Sequence, residues 1–299
     1  ARARTFLAAG ITTVRDLGAA DRLNIEMAHA VAAGLIEGPR ILAAGLGVTM
    51  TGGHGHGFLA TEADGADAVR KAVREQLRAG ATAIKLFASG GVMTPGVDPR
   101  SPSFTEEELR AGVEDAHKAF RPVGAHAQAT DGIKNAIRAG IDSIEHGVWL
   151  DDEAIEMMRE RGTYLVATLT APYQIAHRGL EAGIPSYMVD KGWQVLESHQ
   201  ESFRRALQAG IRIAMGTDQG TPANKPGENA QELLQMTALG MSSGAALMAA
   251  TAWAAGLLRV GGEAGSISGG LAADLVVLDG DPLEKIGVLR NQRAIRAVI

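Results

Sequence analysis

An α/β barrel built on a parallel sheet is the fold class this sequence predicts, on three observations. Short apolar runs rich in β-branched residues alternate with stretches of helical period, the cadence of βα units with right-handed crossovers. Seven such runs follow one another, which favours a barrel over an open sheet. The pair Ala-Gly recurs just ahead of four of them, at Ala9-Gly10, Ala79-Gly80, Ala139-Gly140 and Ala209-Gly210. Glycine there caps a helix before the next strand begins.

In chain order, the opening ARARTFLAAG reads as the end of a helix. The predicted strands are TTVRDL (12–17), RILAAG (40–45), AIKLFA (83–88), PVGAHAQA (122–129), SIEHGV (143–148), TYLVATL (163–169) and IRIAMGTD (211–218). Helices are expected over 22–34, 65–79, 105–120, 131–139, 151–161, 191–208 and 228–239. Thr105 is an N-cap, and Glu108 completes a capping box with it. Two stretches read as long loops: 89–104, a candidate lid, and most of 169–192. A further helix over 243–255 leads into ADLVVLDG and RAIRAVI, strand-like segments of a small β module. The division expected is a barrel over 1–262 and part of the β module over 263–299.

At 46% hydrophobic and 21% charged the composition is that of a globular chain. A net charge of −5 gives no electrostatic support for a nucleic-acid or anionic-membrane partner. With no cysteine, disulfides and thiolate metal sites are excluded. Any transition metal must then be held by histidine, carboxylate or modified lysine. No apolar run is long enough to span a bilayer, and the first residues lack the apolar core of a signal peptide, so a cytoplasmic location is expected.

In a barrel, catalytic groups sit at the C-terminal ends of the strands. Lys85 interrupts the apolar AIKLFA, His126 lies in VGAHAQA, His146 closes SIEH, and Asp218 closes AMGTD. Each has an ordinary reading: a hydrogen-bonded core histidine, a snorkelling or ion-paired lysine, an N-capping aspartate. Four together, one to a strand, make coincidence the weaker reading. An ammonium cannot ligate a metal, but a lysine carbamylated by CO₂ is anionic and bridges two cations. That chemistry needs a desolvated lysine of lowered pKa, and an apolar strand supplies the setting. A Schiff-base lyase on Lys85 is an alternative that explains the lysine and leaves the other three residues unexplained.

Seven phrases carry a family resemblance: AGITTVRDLG (9–18), TGGHG (51–55), GATAIKLFASGG (80–91), GAHAQATDGIKNAIRAGIDSIEHG (124–147), MGTDQG (215–220), GENAQELLQM (227–236) and GSISGGLAADLVVLDGDPL (265–283). They resemble the amidohydrolase superfamily, and within it the imidazolonepropionase-related, prolidase-like group of Xaa-Pro dipeptidases. The resemblance implies a (β/α)8 TIM-barrel-type metal-dependent hydrolase with a small β-sandwich module. It also implies two divalent metal ions, zinc by default, with manganese or cobalt acceptable to the same ligands. Lys85 would be carboxylated on N6 and bridge the ions. His126 and His146 would bind the more exposed ion. Asp218 would ligate the buried ion and serve as general acid and base. A hydroxide bridging the ions would attack the scissile carbonyl, cleaving a C–N amide bond in a dipeptide or N-acyl amino acid. The partner is then a small-molecule substrate, with a homo-oligomer allowed.

The family's first strand carries a His-x-His pair that completes the buried metal site. Only eleven residues precede TTVRDL, so strand 1, its histidines and the first half of the β module are expected to be missing, and the chain reads as a piece of a longer protein. Such a barrel would have two exposed edges and a gap in its core. An inactive or metal-poor fragment or scaffold is therefore a second alternative. His54-Gly55-His56 is not a convincing replacement pair, because TMTGGHGHGFLA is too glycine-rich for a strand and follows the second visible run. His54 is expected over the substrate, as are Tyr173 and His177, with His56 an incidental neighbour. His29, His117 and His199 read as solvated helix-surface residues, and Glu228 and Asn229 as the start of a helix.

Overall fold

The computed structural model describes residues 2–299. Strand β1 (Thr13–Asp16) pairs in parallel with β2 (Arg40–Ala43). Gly45, at φ +72°, breaks the second predicted run, which resumes as β3 (Gly47–Thr49). β3 takes β4 (Ala60–Glu62) on one side and β5 (Ile84–Phe87) on the other. β6 (Val123–Ala127), β7 (Ser143–His146) and β8 (Tyr164–Val166) continue the parallel order. Thr82 N–H donates to Ala43 O at 2.8 Å and so ties the β1–β2 pair to the segment entering β5.

The run at 211–218 departs from expectation. It forms a single bridge, Leu165–Ile213, held by Leu165 N–H to Arg212 O and Ala214 N–H to Leu165 O. Its other edge turns to the helices: Met215 N–H donates to Ala249 O, so the ladder is not extended. Among the described residues no pairing joins this segment to β1.

Every residue of β5, β6 and β7 is buried, as a parallel sheet covered on both faces requires. The core lies between those strands and the inner faces of the surrounding helices. Each expected Ala-Gly cap forms the same closure. Gly10, Gly80, Gly140 and Gly210 all have positive φ. The residue after each donates to the carbonyl five positions back: Ile11 to Phe6, Ala81 to Gln76, Ile141 to Ala136 and Ile211 to Ala206, at 3.0–3.2 Å. This double turn satisfies orphan carbonyls at the helix end and aims the chain into the next strand. The capping box of Thr105 and Glu108 forms at the helix Glu106–Lys118.

The segment 169–192 is mostly helical rather than a loop. A helix spans Thr170–Arg178, and the next begins at Ser186 and runs to Gln208. Pro172 suggests a break but sits in the first turn, where a missing N–H costs nothing. The last predicted helix splits at Thr251 into Ser243–Ala250 and Ala252–Leu257. Beyond them, β9 (Val276–Leu278) and β10 (Ile295–Val298) pair antiparallel. Val276 lies close against Gly10, and an Arg40–Asp274 ion pair at 3.2 Å links this ribbon to β2. No helix among the described residues is long and apolar enough to cross a membrane.

Candidate active site

Lys85 is 6% exposed in the middle of β5. Its register neighbour on β6 is Gly124. A Cβ at Gly47 on β3 would come within 3.2 Å of Lys85 Cγ and 2.5 Å of the Phe87 ring. Bare backbone at Gly47 makes room for the lysine stem and the phenylalanine, while bare backbone at Gly124 makes room for the Glu145 carboxylate. Burial is the main effect on the Lys85 amine and lowers its pKa to about 8. Glu145 and Asp218 pull the other way, and Arg15 adds to the depression.

His126 and His146 lie on adjacent strands with ring centroids 4.6 Å apart, and the His54 ring is 4.5 Å from His126. His126 Nε2 donates to Gly90 O at 2.8 Å, and among the described residues Nδ1 has no hydrogen bond. His146 Nδ1 shares a 2.7 Å hydrogen bond with Thr168 Oγ1, and among the described residues its Nε2 has none. Burial, with nearby positive charge, holds both imidazoles well below their ordinary pKa and therefore neutral. His54 is lowered to about 3, by burial first and then by Lys85 and Lys191.

His146 breaks the alternation of its strand. Glu145 points inward, because it bonds Arg15, and a regular strand would send His146 to the other face. His146 instead takes φ +76° and also reaches the interior. Thr168 (φ +55°) and Asp218 (φ +51°) hold the same left-handed backbone at the ends of the next two runs. Such conformations cost non-glycine residues on the order of 1–3 kcal/mol each and cluster where function demands them. Asp218 is open to solvent, yet enough protein surrounds it that desolvation raises its carboxyl pKa, with Lys85 opposing and Glu145 adding.

The structure thus gathers Lys85, His126, His146 and Asp218 with His54 in one electrostatic neighbourhood. It does not bring Tyr173 and His177 into that cluster. Their rings meet at 4.3 Å, tilted by 38°, and His177 meets the exposed Trp193 edge-on at 4.7 Å, an aromatic group on the helix pair. His56 turns back onto Gly53 O. Two histidines correct the expectation of solvated surface positions. His199 is 1% exposed and bonded to Ala167 O, and His117 is half-buried against Asp142. His29 is exposed as expected, and Asn229 takes the N-cap position of the helix Ala230–Ala238.

Sequence reasoning missed the supporting residues. Arg15, on β1, reaches across the interior to Glu145 (2.7 Å) and Ser143 (3.1 Å). The signal was present as charges inside the apolar runs TTVRDL and SIEHGV. Thr94, Thr168, Glu232 and Lys191 had no such signal.

No three His, Asp or Glu side chains among the described residues converge into a finished metal cage. The donor chemistry fits divalent ions all the same. Among the described residues two neutral imidazoles each keep a nitrogen without a hydrogen bond, the second nitrogen of each is fixed by one, and the buried amine of Lys85 lies near both.

The amidohydrolase family model matches residues 1–299, and the chain belongs to that family. It is similar to ochratoxinase from Aspergillus niger, at 34% identity over 323 aligned residues covering 97% of this chain. The chain spans 64% of the length of that relative. Among solved structures it resembles a Xaa-Pro dipeptidase with methionine bound in its active site, at a TM-score of 0.92 and 35% identity. A prolidase complexed with N-methylphosphonate-L-proline gives 0.93 and 35%. Both likenesses cover 100% of this chain and 76% of the other. The fold is accordingly of the TIM-barrel type, with no closure of the parallel sheet among the described residues.

Proposed function

We propose that this chain carries the metal-dependent chemistry of an amidohydrolase, hydrolysing the C–N amide bond of a dipeptide or N-acyl amino acid. The observation that supports it most is Lys85, a buried amine beside two neutral imidazoles and Asp218, with glycine on the strands around it. The relatives named Xaa-Pro dipeptidase and prolidase point to a dipeptide.

Lys85, carboxylated on N6, would bridge two divalent ions, zinc by default, with His126, His146 and Asp218 as the other ligands. Such ions, when bound, supply Lewis acidity toward a carbonyl and a hydroxide nucleophile near neutral pH. The chain's own residues do the rest. The lowered pKa of Lys85 maintains the neutral amine that carbamylation consumes. Gly90 O and Thr168 Oγ1 orient the two imidazoles. The Asp218 carboxylate takes the proton of the attacking water and delivers it to the leaving amine, a role its raised pKa favours. His54 contacts the substrate from the loop beside His126. We assign this chemistry to residues 1–262 and read 263–299 as part of a small β module.

The test combines ¹³C-bicarbonate labelling, metal analysis and a panel of Xaa-Pro dipeptides and N-acyl amino acids. A carbamate signal, retained zinc and hydrolysis are expected together, with all three lost in Lys85→Ala. Hydrolysis should fall on the order of 10²-fold or more in Asp218→Asn. Zinc retention and turnover unchanged in Lys85→Ala would overturn the proposal. Borohydride trapping of a carbonyl compound on Lys85 would favour Schiff-base chemistry instead.

A further inference from the structure

The stretch 89–104, expected as a lid, is tied into the site by its own backbone. Gly90 O accepts from His126 Nε2. Thr94 is 1% exposed, and its hydroxyl bonds His54 Nδ1 at 2.8 Å and Gly55 N–H at 3.0 Å. A Cβ on Gly91 would fall 2.5 Å from His54 Nε2, so the loop backbone lies flat against that imidazole. The base of the loop is pinned by a Ser89–Pro102 bridge and by Gly90 N–H to Ser101 O. Its far part, 91–98, has no regular secondary structure of its own.

That far part is held from outside, by the helix Ser186–Gln208. Tyr187 Oη donates to Met93 O at 3.0 Å. One turn on, the Lys191 ammonium lies 3.4, 2.9 and 2.6 Å from the carbonyl oxygens of Gly91, Thr94 and Val97. An ammonium has three N–H donors, and here each meets a backbone carbonyl. Among the described residues Lys191 makes no ion pair, and Asp98 is the carboxylate near enough to influence it. Its charge is met by carbonyl dipoles, the coordination that proteins offer to a monovalent cation. Without it, three carbonyls drawn to one point would repel one another.

We propose that Lys191 is a positioning residue of the site. Its ammonium is a built-in cation that gathers the Gly91, Thr94 and Val97 carbonyls, and so sets Thr94 against His54 and Gly90 against His126. The loop is then a fixed wall and not a lid that opens at each turnover. The link to catalysis rests on the reading of His54 and His126 given above, but the clamp itself does not.

The test is hydrogen exchange of the full chain, comparing peptides over 90–98 with the rest of the protein. In Lys191→Ala, protection of that stretch should fall on the order of tenfold or more while the helices keep theirs, since three hydrogen bonds to one charged donor are lost. Added methylammonium, small enough to enter the vacated space, should restore it. Tetramethylammonium at equal ionic strength, with no N–H to donate, should not. Lys191→Met keeps an apolar side chain of similar length, removes the ammonium with its charge and its three donors, and should loosen the loop with no rescue by methylammonium. It also serves if the alanine variant does not fold. Protection of 90–98 unchanged in either variant, or rescue of the alanine variant by both cations alike, overturns the proposal. These readouts need no substrate, so they stand apart from whether amide hydrolysis is found. Where turnover is measurable, methylammonium should raise it in Lys191→Ala alone.

Discussion

Glu232 presents a buried carboxyl whose effect on stability can be worked out from its surroundings. It lies on the helix Ala230–Ala238 at 1% exposure. Its carboxylate accepts from Leu169 N–H (2.8 Å), Thr170 N–H (2.8 Å) and Thr170 Oγ1 (2.7 Å), capping the helix Thr170–Arg178 from outside. Burial raises its pKa from 4.5 to about 7 against the pull of those three bonds, with the charge of Asp218 adding to the rise. The unfolded chain therefore releases this proton near pH 4.5, while the folded chain keeps it until about 7. Across that window folding takes up a proton, so stability falls as pH rises, by about 3 kcal/mol in total. Glutamine cannot ionise and is free of this loss. It is a poorer cap, because its NH₂ faces a donor, at a cost of about 1–3 kcal/mol. Glu232→Gln should thus be less stable than the parent at pH 4.5, and the difference should close or reverse by pH 8. Urea denaturation of both proteins at the two pH values, followed by circular dichroism, reads it directly. Parallel curves, with a difference constant to about 0.5 kcal/mol, would refute the reasoning.

Arg15 and Glu145 form an ion pair with side chains 7% and 5% exposed. Arg15→Met leaves a buried carboxylate without its partner and should cost about 3–5 kcal/mol in denaturant titrations. Arg15→Met with Glu145→Leu should recover most of that, and a single variant as stable as the parent would show that the pair contributes nothing. Gly91→Ala places a methyl inside the space of the His54 ring. With the fold intact by circular dichroism, kcat/KM should fall on the order of 10²-fold, as an ångström-scale displacement of a contact residue implies. An unchanged kcat/KM would remove His54 from the substrate.

The sequence by itself determined the alternation of parallel strands and helices, the four glycine-capped helix ends, and the placing of Lys85, His126 and His146 within buried strands. These rest on local rules. A period of two or 3.6, a glycine with positive φ, and one charged residue in an apolar run are all written within a dozen residues. Tertiary structure decided the rest. The helix Thr170–Arg178 is too short to persist alone, and its N-terminal donors are met by Glu232, more than sixty residues away in sequence. His199 is buried because the helix that carries it lies across the end of β8, where Ala167 O accepts from it. Glu145 and His146, adjacent in sequence, both face the interior because a left-handed backbone overrides the strand alternation. Arg15 and Glu145 are 130 positions apart and meet only because the strands curve toward a common interior. Lys191 reaches its three carbonyls across a similar separation. Periodicity specifies which face a residue occupies, but which distant group stands opposite depends on how the elements pack, and the contacts that fix His54, His126, His146 and Lys191 are of that second kind.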